Sequence, residues 1–265
     1  MLRNISQQTS FYSRVETNRG NMTYCLAIKV DDGLVFASDS RTHAGVDYAS
    51  VFSKMHQFEL QDDRFMVLLA AGSLATTQAV VNLIRRDLEN PSSTCCLNKA
   101  AYLFDAATYV GGISVRVQEQ HSPAMQRSGF SAEATFILGG QIVGQSHEIY
   151  LIYPQGNYIN ASPSTPYLQI GETKYGKPIL DRMAEARTSL EDAARCALVS
   201  LDSTMRSNIS VGPPVEVGIY RADTFKMGYH LNLDRSSPLY SGIQKHWSES
   251  IRAGFNSLPR FDWER

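Results

Sequence analysis

The chain has 265 residues, of which 43% are apolar and 19% charged, and its formal net charge is −1. This balance excludes a disordered chain, a collagen-like chain and a polybasic binder of nucleic acid or membrane surfaces, and the length suits one α/β or sandwich domain. The cysteines (Cys25, Cys95, Cys96, Cys196) form no Cys-x-x-Cys pair, and the longest apolar run, Phe65 to Ala71, falls far short of the ~20 residues of a membrane-spanning helix. Reduced thiols in a cytoplasmic protein are therefore expected, with no structural metal and no membrane.

Residues 1–21 are polar, carry Arg3, Arg14 and Arg19, and lack the apolar block of an export signal. With Met22 they read as an N-terminal extension, either a propeptide or the product of a start codon upstream of Met22. From Thr23 the texture changes. TYCLAIKV and LVFASD are β-rich runs around Asp31-Asp32-Gly33, a hairpin signal. VFSKMHQFEL and RFMVLLAAG form a second pair, and the unbroken apolarity of the latter predicts a strand covered on both faces.

Ser73 to Glu89 has Leu74, Val80, Val81 and Ile84 at helical spacing, and a second helix is predicted from Leu97 to about Val117. Strands ATFILGG and HEIYLIYP follow, then helices over Pro178–Arg187 and Leu190 to about Met205, with Pro178 suited to a first turn. VEVGIYR and KMGYHLNL return to strand, and residues 236–265 read as a helix and tail. Strands, two helices, strands, two helices and strands give two stacked sheets with helices outside, an α+β, four-layer αββα sandwich. No linker divides residues 23–235, so 23–265 is read as one domain.

Two local patterns resist a cofactor reading. Gly171-Glu172-Thr173-Lys174-Tyr175-Gly176-Lys177 matches a phosphate-binding loop until Pro178, which stands where a Ser or Thr hydroxyl should ligate magnesium. The six histidines contain no His-x-x-x-His pair. No cofactor or metal is expected, and the triplet Asn208-Ile209-Ser210 is uninformative without a secretion signal.

The informative feature is a triple: Thr23 opening the first strand, Asp39 ending the second, and Lys54 in the third. Each alone has ordinary structural roles. Met22 before Thr23 changes this, because its removal leaves Thr23 with a free α-amine whose ordinary pKa of about 8 suits proton transfer near neutrality. Amine and hydroxyl on one residue can then serve as base and nucleophile. A buried cation such as Lys54 lowers neighbouring pKa values, and Asp39 can hold it. His43 and His56 lie close enough in sequence to touch a substrate.

At these residues the chain resembles proteasome β-subunit-type N-terminal-nucleophile hydrolases, most closely the bacterial ancestral-β-subunit (Anbu) group. The resemblance covers roughly residues 22–235 and is carried by TYCLAIKVDDGLVFASDSRTHAGVDY, FSKMHQFEL, LLAAGSLATTQAVVNLIRRDL, YLQIGETKYGKPILDR and LDSTMRSNISVGPPVEV. It implies the αββα fold, a threonine-type peptidase, Thr23 as nucleophile, Lys54 as activating cation with Asp39 as its partner, and Gly72 as the oxyanion's N–H donor. An acidic residue and a serine near the end of the fourth helix, Asp202 and Ser207, with Ser203 as a further candidate, are implied to support the amine. The implied substrate is a peptide or unfolded protein, lying extended beside Arg41 to Gly45. The implied assembly is a homo-oligomeric ring or open helical ring contacting through Ser73–Glu89 and Leu97–Val117; an ATPase partner is not inferred. A catalytically silent ring subunit and an amidohydrolase acting on a small or unusual amide remain open.

Overall fold

The computed structural model describes residues 23–43, 49–58 and 60–264. The first hairpin forms around Asp31-Asp32-Gly33, as β1 (Tyr24–Val30) and β2 (Gly33–Asp39). Short β3 (Arg41–His43) and β4 (Ala49–Val51) pair with each other, and β5 (Met55–Gln57) leads to the long buried β6 (Arg64–Gly72). Helix α1 (Leu74–Glu89) starts at Ser73, whose hydroxyl accepts the Thr76 N–H. Then come α2 (Leu103–Arg127), strands β7 (Ala134–Ile142), β8 (Glu148–Ile152), β9 (Tyr158–Asn160) and β10 (Tyr167–Gly171), α3 (Lys177–Met183), α4 (Leu190–Ser207), β11 (Val215–Arg221), β12 (Tyr229–Leu233) and α5 (Pro238–Asn256).

Two five-stranded antiparallel sheets, ordered β10-β1-β2-β11-β12 and β5-β6-β7-β8-β9, stack face to face. Alternation along each strand divides the core into three layers. Val35, Ala37, Val215 and Val217 face α3 and α4. Phe36, Leu34, Val67 and Leu69 fill the space between the sheets. Met66, Leu68, Phe136 and Leu138 face α1 and α2. The αββα sandwich is the architecture expected from the sequence, and no helix among the described residues is long and apolar enough to cross a membrane.

Two boundaries differ from expectation for identifiable reasons. Residues Leu97–Lys99 form a 3₁₀ turn instead of opening α2, because the Arg64 guanidinium takes the Leu97 and Ala100 carbonyls at 3.1 and 3.0 Å. The helix starts six residues later, where the Asp105 carboxylate accepts the Tyr102 N–H at 3.0 Å. At its other end α2 runs on to Arg127, although its last buried residue is Gln118. Apolar spacing reports where a helix is covered, and this helix continues past the sheet it covers.

Candidate active site

Pairing of β1 with β2 sets Cys25 opposite Ser38, which brings the end of β2 to the head of β1. Asp39 is fully buried there. Its Oδ1 accepts the Tyr24 N–H at 3.0 Å and the Lys54 ammonium at 2.7 Å, and its Oδ2 accepts the Gly212 N–H at 3.1 Å. Lys54 Nζ also donates to the Arg41 carbonyl at 2.7 Å. Burial pushes the Asp39 carboxyl up from its ordinary value, while the Lys54 cation and the two backbone donors pull it back. Lys54 lies in the connection from β4 to β5, and its carbonyl accepts the Ala70 N–H of β6 at 3.0 Å.

Thr23 is nearly buried, with 8% of its surface exposed. Its carbonyl accepts the Glu172 N–H at 2.7 Å, just beyond the β1–β10 pairing that sets Tyr24 opposite Gly171. Gly171 adopts φ +84°, and a Cβ there would meet the Thr23 carbonyl oxygen at 2.0 Å. Only glycine admits both the conformation and the approach. Gly171→Ala is therefore expected to cost at least ~1–2 kcal/mol of stability and to displace Thr23. Chemical denaturation of the purified variant checks this, and an unchanged midpoint would contradict the clamp.

Glu172 is buried, and its Oε2 accepts from Asn208 Nδ2 at 3.2 Å, while Asn208 Oδ1 accepts the Ser210 N–H at 2.9 Å. Neither residue stands out in the sequence, where Glu172 lies inside a failed phosphate loop and Asn208 inside a glycosylation-like triplet. The one signal was Glu172 directly after a glycine at a strand end.

Asp202 and Ser207 take other places. Ser200 and Thr204, one helical turn apart on α4, are fully buried, and the Ser200 hydroxyl lies 2.7 Å from the Tyr24 hydroxyl. Asp202, midway between them in sequence, is turned about 200° around the helix from either. Its carboxylate instead accepts Arg206 Nε at 2.8 Å and the Gln244 amide of α5. Ser207 ends α4 exposed, whereas the next residue, Asn208, turns in to Glu172. Ser203, half-buried, lies beside Asp202 on α4. Gly72 ends β6 at φ +109°, where a Cβ would meet the Glu133 carbonyl oxygen at 2.3 Å, and Ser73 N–H donates to that same carbonyl at 2.9 Å. Two residues before it, Ala70 bonds the Lys54 carbonyl, so the end of β6 runs past the Lys54–Asp39 pair.

His56 sits on β5, opposite Leu68, and burial, helped by Arg85, lowers its pKa to about 4, so the ring is neutral. The side chain of His43 and residues 1–22 and 44–48, which include part of the expected peptide-binding edge, lie outside the described residues. The Cys25 thiol is fully buried, and burial pushes its pKa well above the ordinary thiol value despite Lys54 nearby. It is no rival nucleophile.

Comparison with known proteins agrees with this architecture. The model of the proteasome subunit family matches residues 20–220. The solved structure of Anbu (ancestral β-subunit) from Yersinia bercovieri is 42% identical, with a TM-score of 0.85, covering 91% of this chain and 99% of its own. Anbu from Hyphomicrobium sp. strain MC1 is 40% identical, with a TM-score of 0.82, covering 91% of this chain and 100% of its own. The Anbu complex from Pseudomonas aeruginosa, described as a helical assembly, is 40% identical with a TM-score of 0.85, over 90% of this chain and 98% of its own. No curated protein matches. A family model that spans most of the chain, and solved structures this similar over nearly their whole length, place the protein in the proteasome subunit family, among chains of the Anbu type.

Proposed function

We propose that the protein is a threonine-type peptidase of the proteasome kind, acting once Thr23 is its first residue. The observation that carries this reading is the buried Lys54–Asp39 pair, held at 2.7 Å directly against the backbone of the residue that follows Thr23. In the proposed reaction Thr23 Oγ attacks the amide carbon and its proton passes to the Thr23 α-amine. The Gly72 N–H stabilises the oxyanion. The amine then protonates the leaving nitrogen, and water, deprotonated by the same amine, hydrolyses the ester and restores Thr23. Lys54 supplies the positive charge that lowers the hydroxyl's pKa, and Asp39 holds that charge in place. Glu172 and Asn208, which reach the Thr23 end of β1, are assigned the amine-supporting role for which Asp202 and Ser207 were the candidates.

The substrate class is peptide, and self-assembly is extended to this chain from the helical assembly described for the Pseudomonas aeruginosa relative. The deciding experiment is the intact mass and N-terminal residue of the protein purified from bacterial expression of the full reading frame, followed by a screen of fluorogenic peptide amides. A chain beginning at Thr23 that turns over peptides supports the reading. A chain retaining residues 1–22 and inert to every peptide favours a structural ring subunit. Activity on small amides alone would move the substrate class.

A pH profile bears on the same pair. Because burial raises Asp39 above its ordinary value of about 3.9, it takes up a proton at a higher pH than a free aspartate and then releases Lys54. Activity is expected to fall on acidification through an apparent pKa above that value, and Asp39→Asn should remove this limb together with most of the activity. An acid limb unchanged in the residual activity of Asp39→Asn would show that another group controls it.

A further inference from the structure

Near the Lys54–Asp39 pair lies another buried carboxylate, on β11, to which the reaction above assigns nothing. Glu216, on β11, has only 6% of its side chain exposed. β11 pairs with β2 so that Glu216 stands opposite Ser38, one position from Asp39. Its side chain points between the sheets, as does that of Tyr220 on the same strand face. A carboxylate removed from water in this way must have its oxygens satisfied by the protein. Oε1 accepts from Ser40 Oγ at 3.2 Å, and Oε2 lies 3.1 Å from Ser53 Oγ and 3.2 Å from Nε2 of the half-exposed His230.

The identity of these two serines gives the contact its meaning. Ser40 follows Asp39, and Ser53 precedes Lys54. Neither stands in the middle of a regular element: Ser40 joins β2 to β3, and Ser53 lies in the connection from β4 to β5. A single carboxylate therefore ties together the two chain segments that carry the opposite charges. The backbone supports the same juncture, since Phe52 N–H donates to the Ser40 carbonyl at 2.9 Å. Ser53 Oγ also accepts the Met55 N–H at 3.3 Å and lies 2.9 Å from the Met55 carbonyl, so its one proton is shared between that carbonyl and Glu216. The geometry points to Glu216 as a positioning residue, which sets the spacing and aim of Lys54 relative to Asp39 through the Ser53 and Ser40 hydroxyls. The inference rests on the proposed roles of Lys54 and Asp39. Its physical basis is that a misplacement of about 1 Å in a catalytic group costs about 100-fold in rate, while ground-state binding of a distant substrate is left alone.

The test is a mutant cycle on the Thr23-initiated protein, with a fluorogenic peptide amide that the wild type turns over. Glu216→Ala is expected to lower kcat by about 10- to 100-fold with KM within about threefold, and Glu216→Gln, which keeps an acceptor of the same shape, to recover most of the loss. In a Ser40→Ala/Ser53→Ala background, where the link is already cut, Glu216→Ala should cost less than about twofold more. Full kcat in Glu216→Ala, or the same fold-loss with and without the hydroxyls, overturns the inference. If Glu216→Ala fails to fold, the double serine variant carries the kcat test by itself, and it should show the same loss at unchanged KM. Hydrogen–deuterium exchange of segments 40–43 and 50–58 gives a readout that needs no turnover. Faster exchange there in Glu216→Ala or the serine variant, with β7 and β8 unchanged, is expected, and equal exchange overturns the inference. A wild type that turns over no peptide while exchange responds as expected would refute the peptidase reading and leave Glu216 holding the pair.

Discussion

Thr23→Ala is expected to abolish turnover in a chain that begins at residue 23, lowering kcat by about four orders of magnitude or more, as loss of the nucleophile does in other acyl-transfer enzymes. Folding should be almost untouched. The contact that fixes Thr23 is made by its backbone carbonyl to Glu172 N–H, and alanine keeps it. The stability change should stay below about 1 kcal/mol, the range for a small change away from a cavity or a broken network. Thr23→Ser, with hydroxyl and amine both retained, should remain active. Initial rates beside a denaturation midpoint check this, and an active, folded Thr23→Ala enzyme would end the threonine mechanism.

Lys54→Met has the second large effect, and it separates chemistry from stability. Lys54 and Asp39 have side-chain exposures of 8% and 0%, so the methionine leaves a carboxylate buried without its counter-charge. Removing one member of a buried pair costs about 3–5 kcal/mol, much of it the penalty of the charge left behind. Asp39→Asn added to Lys54→Met removes that charge. An asparagine can still accept the Tyr24 or Gly212 N–H, so the double variant should regain most of the lost stability. Activity should stay absent in both, because neither supplies a cation beside Thr23. Urea midpoints with peptide turnover for wild type, single and double variants measure the two effects separately. A double variant that regains turnover would show that the cation is dispensable, and a single variant as stable as wild type would show that Asp39 is not held ionised by Lys54.

How much of this was legible beforehand depends on the range of the interaction involved. The β1–β2 hairpin, β6, α1 and α4 are written locally, in an Asp-Gly turn, an unbroken apolar run and apolar residues at helical spacing with a serine cap. The start of α2 was not, because a guanidinium from β6 takes the carbonyls that would have joined the helix. The far end of α2 was not either, since its last turns bury nothing for a pattern to record. Short strands such as β9, with three residues, carry too little sequence to show a period.

The sequence alone determined the layered architecture and drew attention to Thr23, Asp39 and Lys54, of which the structure sets Lys54 against Asp39 at 2.7 Å. Those conclusions follow from local periodicity and from residue types that a single reaction uses together. Only the tertiary structure decided which other side chains stand with them. Glu172 and Asn208 are 36 positions apart in connecting segments, and they meet because β10 pairs with β1 while α4 ends against the same strand head. Asp202 has the right chemistry and nearly the right position in sequence, but the helix turns it toward α5. In the sequence Glu216 is one more polar residue in a strand, and only the pairing of β11 with β2 sets it opposite Ser38. Pairing register and helical phase set the direction of a side chain to within one residue, and both are fixed by packing across the whole fold.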